Sequence, residues 1–243
     1  MELTHRILAR NLREHSKLVQ EDVEQIAKLS YVVRQYEPNG DLIRQGDRPN
    51  AAALVLSGMV GRYHLRGSGR RQYLSFHIIG DMPDAQGLFI DQMDHTVCAM
   101  GSAVVAFIPH GDMVKAFKAR PQLSFAVWRE TLIDAAIFRE AITNNSSRPV
   151  QMRMAHLFCE LFYRARASGA AEQNRLNLPL NLIQLGETLG MAIATVNRTL
   201  QQLRTTGSVD FRDGVLTIKN WDELVKIGTF DPRYLHLKKV SPL

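Results

Sequence analysis

Two stretches of the sequence combine residue types that do chemistry with short spacings. The stretch at 80–98 contains four carboxylates followed by an imidazole, and these are Asp81, Asp84, Asp91, Asp94 and His95. The stretch at 190–204 contains two guanidinium groups, Arg198 and Arg204, and no acidic residue. The first set contains the groups used in acid–base and metal sites, and the second contains the groups that bind phosphate.

The acidic stretch lacks the arrangement of an enzyme site. Asp91 and Asp94 lie three residues apart, as in an exposed turn, and the sequence has no nucleophile elbow, His-x-x-x-His helix or Walker loop. Two cysteines, Cys98 and Cys159, are too few for an iron–sulfur cluster or a four-thiolate metal site, and no histidine spacing favours a haem. We expect no enzyme activity, metal or cofactor. Both cysteines are interpreted as buried side chains, with a thiol switch at Cys98 as the alternative.

Positive charge is concentrated around the basic stretch. Four of the six net positive charges lie in residues 149–243, which favours a polyanionic partner there. Hydrophobic residues make up 45% and charged residues 22% of the chain, as in soluble proteins. No apolar run approaches the roughly 20 residues that cross a bilayer, and the N-terminal residues lack the apolar segment of a signal peptide. We expect a cytoplasmic protein without a membrane partner.

Residues 180–204 predict two short helices joined by a tight turn. Asn181 begins the first helix as its N-cap, Gln184 completes a capping box, and Gly190 allows the turn. In the second helix the inward residues recur at i, i+4 and i+7, and they are Val196, Leu200 and Leu203. The residues expected to face outward or to flank that face are Ile193, Ala194, Thr195, Asn197, Arg198, Gln201, Gln202 and Arg204.

A β-hairpin is expected to follow the helix pair. The segment "SVDFRDGVLTIKN" alternates apolar and polar residues about Asp213–Gly214, a preferred two-residue hairpin turn. Two helices and a hairpin make a winged helix, a DNA-binding unit. The helix start near Asn181 and the wing around Arg212 are expected to hold the phosphate backbone. The alternative is a helical hairpin that serves only packing.

The N-terminal half has a different character. Two short amphipathic helices are predicted within residues 1–33, and short apolar runs separated by turn motifs then extend from about 32 to 108. Such spacing predicts an antiparallel roll or sandwich of strands.

A long helix is predicted from Pro121, because the following 24 residues contain no helix breaker. One heptad stripe consists of Phe125, Trp128, Leu132, Ala135, Arg139 and Ile142, and a second contains Ile133, Ile137 and Ala141. One stripe suffices to pack a helix on its own domain. Because this helix has two stripes, we expect it to contact a partner helix as well, and the first stripe predicts a dimer interface with the same helix of a second chain. The alternative is a helix buried in its own core. The segment "NNSSRP" at 144–149 predicts a hinge.

Taken in order, these segments resemble the Crp/Fnr family of bacterial transcription regulators. The segment "GDLIRQGDRPNAAALVLSGMVGRY" is similar to the family's sensor β-roll, and "LGETLGMAIATVNRTLQQLRTTGSV" is similar to its winged helix. The resemblance covers nearly the whole chain. It implies an α+β fold with an N-terminal antiparallel β-roll of cyclic-nucleotide-binding type, flanking helices, a long dimerisation helix and a C-terminal winged helix-turn-helix.

The resemblance also implies a domain order and partners. The sensor is expected at 1–120, the dimerisation helix and hinge at 121–148, the winged helix at 149–222 and a tail at 223–243. The expected partners are a second copy of the chain, double-stranded DNA with a two-fold symmetric operator, and RNA polymerase.

The sensor departs from the family members that bind cyclic nucleotides. Those members use a glutamate for the ribose and an arginine followed by Ser or Thr for the phosphate, where this chain has Ala85 and His95–Thr96. The stretch at 80–98 contains no Lys or Arg that could offset its four carboxylates. We expect no cyclic AMP or cyclic GMP binding, and an effector that is unknown or absent. The candidate pocket residues are Gly80, Asp81, Ala85, Gly87, Leu88, His95, Thr96 and Cys98.

The DNA-reading helix departs as well. The same members carry Ser, Arg and Glu where this chain has Ala192, Ile193 and Ala194, so the guanine and cytosine readers are missing and thymine methyl contacts remain possible. We expect a different operator, read through residues 192–202. The alternatives are a signalling module that acts on a protein partner and a thiol-responsive regulator that uses Cys98.

Overall fold

The computed structural model describes residues 1–237, and the chain divides into two compact units. One unit comprises residues 1–65 and 74–135, and the other comprises residues 66–73 and the residues from 136 onward. Residues 238–243 of the expected C-terminal tail lie outside the described residues.

Two antiparallel sheets form the N-terminal half. Helices α1 (Leu3–His15) and α2 (Gln20–Ile26) precede β1 (Val32–Tyr36), β2 (Asp41–Ile43), β3 (Ala51–Ser57), β4 (Val60–Leu65), β5 (Arg71–His77), β6 (Thr96–Ala99) and β7 (Ala103–Pro109). One sheet has the order β1-β7-β3 and the other β2-β6-β4-β5. The expected sensor fold with antiparallel strands is confirmed.

The strand β3 serves two cores because successive side chains of a strand point to opposite faces. Ala52 and Leu54 pack into a core formed largely by residues of α1, α2 and α3 (His110–Ala119). Ala53 and Val55 pack into a second core with residues of β4, β6 and β7. The uninterrupted apolar run of β3 follows from this burial on both faces.

The long helix α4 (Pro121–Ser147) starts at the expected proline. It continues through the Asn and Ser residues of the expected hinge segment, so the break falls at Arg148 and Pro149. Asn144 is tolerated in the last turns because its side-chain Nδ2 donates to the carbonyl of Arg153 at 3.1 Å. Pro149 stops the helix because it lacks an N–H and disfavours helical geometry in the preceding residue.

The C-terminal unit contains the winged helix. Helix α5 (Val150–Ser168) precedes β8 (Arg175–Asn177), α6 (Leu182–Leu189), α7 (Ile193–Thr205), β9 (Val209–Arg212), β10 (Val215–Ile218) and α8 (Trp221–Gly228), and a single 3₁₀ turn spans Pro232–Leu235. The three strands pair in the order β8-β10-β9. The hairpin turn has positive φ at Asp213 and Gly214, as the type I′ turn requires, so the predicted wing is confirmed.

Candidate nucleic-acid interface and sensor interior

The first helix of the pair begins with a complete capping box. Oδ1 of Asn181 accepts from the backbone N–H of Gln184, and Oε1 of Gln184 accepts from the N–H of Asn181, both at 2.9 Å. The side chain of Asn181 therefore satisfies the protein's own backbone. Its expected role at the phosphate backbone would have to come from free N–H groups in this first turn.

The recognition helix α7 separates its two faces as the spacing predicts. Val196, Leu200 and Leu203 are buried. The exposed or half-buried residues are Ile193, Ala194, Thr195, Asn197, Arg198, Gln201, Gln202 and Arg204. Among the described residues Arg198 forms no ion pair, so its guanidinium is available to an anionic partner.

A groove runs beside the exposed face of α7. Arg198, Gln201 and Gln202 line it together with Gln151, Thr205 and Thr206. Gln151 lies in the first turn of α5. Sequence reasoning missed these last three residues, because Gln151 belongs to another helix and the two threonines end the predicted one.

Arg204 and Arg212 share one carboxylate on the wing. Nε of Arg204 lies 2.8 Å from Oδ1 of Asp210, and Nε of Arg212 lies 3.1 Å from Oδ2. Partial burial opposes ionisation of Asp210, but the hydrogen bonds from both arginines lower its pKa below the usual value. Arg204 also donates to Oε1 of Gln201 at 2.8 Å. These bonds brace α7 against the wing, and Arg212 is the more exposed of the two arginines.

The first turn of α7 has no side-chain cap. Its N-cap is Ala192, which offers no side-chain acceptor for the free N–H groups of the turn. The exposed start of the helix therefore presents backbone donors beside Ile193, which is 44% exposed.

In the N-terminal unit a buried arginine contacts residues of the candidate sensor stretch. Arg62 on β4 is 1% exposed, and its Nη1 lies 2.5 Å from Oδ2 of Asp134 on α4. Its Nε donates to the carbonyl of Pro83 at 2.7 Å, and Nη2 approaches Oε1 of Gln86 at 3.4 Å. Residues 80–98 contain no Lys or Arg, but the fold brings a guanidinium to them from a strand outside this stretch.

The buried carboxyl group of Asp84 lies close enough to Arg62 to feel its charge. Oδ1 of Asp84 accepts from the N–H of Ala53 at 2.7 Å, while Oδ2 has no hydrogen-bond partner among the described residues. Burial raises the pKa of Asp84 to about 7, although the charge of Arg62 opposes the shift.

His95 lies at the same place. Its Nδ1 is 2.6 Å from Oδ1 of Asp94, and its Nε2 is 3.4 Å from Nε2 of Gln86. Burial and the nearby Arg62 lower the pKa of His95, and these effects outweigh the contribution of Asp94. The imidazole is therefore neutral at pH 7 and does not replace a phosphate-binding arginine.

The other candidate pocket residues serve the fold. Gly80 and Asp81 form a turn whose backbone bonds to Val55 of β3, and Thr96 Oγ1 accepts from the N–H of Gln45 at 3.0 Å. Ala85, Gly87 and Leu88 lie in a 3₁₀ turn. Cys98 is fully buried on β6, which argues against thiol chemistry there. Burial also raises the pKa of the Cys159 thiol.

The heptad stripe of α4 is exposed. Phe125, Trp128, Leu132 and Ile142 are 53%, 52%, 51% and 68% exposed, whereas Ile133 on the second stripe is buried. Ala135 is half-buried and Arg139 is exposed. Large exposed side chains arranged in one stripe mark a surface for association.

Among the described residues, no helix is both long enough and apolar enough to cross a membrane. Within the same residues, no three His, Cys, Asp or Glu side chains come together as a metal site would require.

An N-terminal domain of two antiparallel sheets, a long helix and a C-terminal winged helix define a DNA-binding transcription regulator with a cyclic-nucleotide-binding-like domain. Residues 33–120 match the cyclic nucleotide-binding domain family, and residues 152–227 match the Crp-like helix-turn-helix domain family. The chain belongs to the Crp/Fnr family of transcription regulators.

Similar proteins match most of the length of this chain. The anaerobic regulatory protein of Aggregatibacter actinomycetemcomitans is 23% identical over 87% of this chain and 82% of its own length. The transcriptional activator Anr of Pseudomonas aeruginosa is 25% identical over 77% of this chain and 78% of its own. The structure of FixK2 from Bradyrhizobium japonicum superposes with a TM-score of 0.71 at 21% identity, covering 82% of this chain and 98% of that one.

Proposed function

We propose that the protein is a cytoplasmic homodimeric transcription regulator without enzymatic activity. It reads a two-fold symmetric operator through residues 192–202 and acts with RNA polymerase. The observation that carries the proposal is the exposed face of α7, whose unpaired Arg198 and polar neighbours lie on a helix of winged-helix type. The exposed stripe of α4 supports the dimer. Two copies would place their α7 helices about 34 Å apart, one turn of DNA.

Base and phosphate contacts divide among the exposed residues by their chemistry. Thr195, Asn197, Gln201 and Gln202 carry groups that hydrogen-bond bases or phosphates, and Ile193 and Ala194 can contact thymine methyl groups. Arg212 and the N-terminus of α6 at Asn181 would hold the backbone. Arg204 would contribute mainly by bracing the wing, given its bonds to Asp210 and Gln201.

Arg198→Ala is expected to weaken operator binding by about 1–3 kcal/mol, because it removes an unpaired cation from the DNA-facing surface. Affinity is measured by gel-shift titration at several salt concentrations. A phosphate contact also lowers the salt slope by about one, whereas a guanine contact relaxes specificity at one base pair.

Arg6→Ala is the matched control, since it removes one exposed positive charge from α1 in the N-terminal unit. It should leave operator affinity unchanged. Equal affinities for the Arg198 variant and the unmodified protein would remove Arg198 from the contact surface.

The sensor is proposed to work without a cyclic nucleotide. Arg62 is engaged by Asp134 and the Pro83 carbonyl, and Ala85 and the neutral His95 supply neither a ribose nor a phosphate contact. Its effector is unassigned, and control through the abundance of the protein is compatible with this interior.

Cyclic AMP and cyclic GMP at millimolar concentration are therefore expected to leave the thermal midpoint unchanged, since a ligand stabilises only the state that binds it. The measurement is a thermal-shift titration. A saturable rise in the midpoint with either nucleotide would refute this part of the proposal.

A further inference from the structure

The chain beyond the helix-turn-helix match folds back on α5. The match ends at residue 227, and Gly228 then lies so close to α5 that a Cβ there would be 2.8 Å from the backbone nitrogen of His156. The ring centroids of Phe230 and Tyr234 lie 5.4 and 6.1 Å from that of His156. This approach requires glycine at 228, and it places the buried imidazole in contact with two aromatic rings.

Tyr234 brings a hydroxyl to a buried polar network. The hydroxyl donates to Oε2 of Glu160 at 2.8 Å, and its oxygen lies 3.2 Å from Nε2 of His156. Nδ1 of the same imidazole lies 3.2 Å from the carbonyl oxygen of Gly228. Burial and the adjacent Glu160 raise the pKa of Tyr234, so its hydroxyl keeps its proton at neutral pH.

The network continues to the end of α4. Nε2 of His156 lies 3.4 Å from Oε1 of Glu140, and Nη2 of Arg148 lies 2.7 Å from the same oxygen. Nη1 of Arg148 lies 3.3 Å from Oδ1 of Asn144. A chain of polar contacts therefore joins Tyr234 to the last turns of α4 and to the residue before Pro149.

The end of α4 and the start of α5 are also hydrogen-bonded to α6, the helix that precedes α7. Nδ2 of Asn145 donates to the carbonyl of Thr188 at 3.1 Å. Nε of Arg153 donates to the carbonyl of Arg148 at 2.7 Å, and its Nη1 donates to that of Leu189 at 3.3 Å. Nδ2 of Asn145 and Nη1 of Arg153 thereby satisfy carbonyls at the C-terminal end of α6 that the helix itself leaves free.

We propose that Tyr234 is a positioning residue for DNA binding: through its contacts with His156, and those of His156 with Glu140, it holds residues 136–147 of α4 against α5 and so fixes where α6 and α7 lie relative to this end of the helix. This inference rests on the proposed DNA binding. Buried polar contacts restrict the motion of the side chains that make them, and a surface held in its binding geometry loses less conformational entropy when it binds.

Tyr234→Phe tests the proposal because it removes one hydroxyl and keeps the ring. The full-length dimer is titrated with a duplex of about 30 base pairs, recovered from genomic DNA by binding to the unmodified protein. We expect affinity per active dimer to fall about three- to tenfold, with faster amide hydrogen exchange across residues 140–153.

Tyr163→Phe is the matched control. Tyr163 belongs to the same aromatic cluster, with its ring centroid 5.8 Å from that of Phe230, and its hydroxyl makes no hydrogen bond within residues 1–237. This variant should bind DNA and exchange as the unmodified protein does. Affinity within twofold of the unmodified protein for the Tyr234 variant would overturn the proposal.

Glu140→Gln provides a second test at the other end of the network, on a side chain that is 23% exposed. We expect a loss similar to that of the Tyr234 variant, and a double variant no worse than about twofold below either single variant. Fully additive losses, or an unaffected Glu140 variant, would overturn the coupling. Failure of the unmodified protein to bind any duplex would instead overturn the proposed function, and this inference with it.

Discussion

Leu132→Glu is expected to convert the protein to a monomer and to lower operator affinity about 10²- to 10⁴-fold, the range lost when two linked binding events become independent. Leu132 lies midway along the exposed stripe of α4 and is 51% exposed in the single chain. In a two-fold symmetric contact the same surface is used by both copies, so two carboxylates would be buried against apolar side chains. Sedimentation equilibrium measures the dimer, and gel-shift titration measures the affinity.

Gln122→Glu is the control on the same helix. Gln122 is exposed in the first turn, outside the heptad stripe, where an acidic side chain suits the helix dipole. This variant should remain dimeric and bind DNA normally. A Leu132 variant that sediments as a dimer would show that the chain associates through another surface.

The buried ion pair between Arg62 and Asp134 predicts an unusual order of stabilities among variants of these two residues. Asp134→Leu removes the carboxylate that forms the ion pair with the buried Arg62 cation and should cost about 3–5 kcal/mol. Arg62→Met should cost less, because Asp134 is 23% exposed and water can solvate its carboxylate. The double variant should be more stable than Asp134→Leu alone, since apolar replacement of a whole buried pair is often neutral. Urea unfolding of the full-length protein, followed by circular dichroism, measures all three.

Arg44→Met is the matched control for this series. Arg44 also pairs with an aspartate, Asp41, but its side chain is 75% exposed. Exposed pairs contribute little, so the unfolding midpoint should hardly change. A double variant whose loss equals the sum of the two single losses would contradict the buried-pair interpretation.

Local features were predictable from the sequence because their causes are local. The capping box at Asn181 needs only two side chains three residues apart, and the type I′ turn needs only Asp213 and Gly214. The two faces of α7 follow from helical spacing, which tertiary packing leaves unchanged.

Features built from distant segments were not predictable. Arg62 reaches the sensor interior because β4 lies beside β6, and a single sequence does not show that pairing. The strand β8 has three residues, too few for a periodic pattern. The packing of Tyr234 on α5 depends on the close approach of Gly228 to His156 and on a hydrogen bond to Glu160, 74 residues earlier in the chain. Each of these contacts joins residues whose proximity exists only after folding.

The first turn of α7 lacks a side-chain cap, and this affects when the turn becomes ordered relative to DNA binding. Replacing an N-cap side chain by alanine leaves a helix end less stable by about 1 kcal/mol, so the turn at Ile193 frays more readily in the free protein. A phosphate oxygen from the duplex can accept from those N–H groups and complete the turn. We therefore expect the first turn of the reading helix to become fully ordered only on DNA whose backbone passes at the right distance, so that groove width is sensed by helix folding.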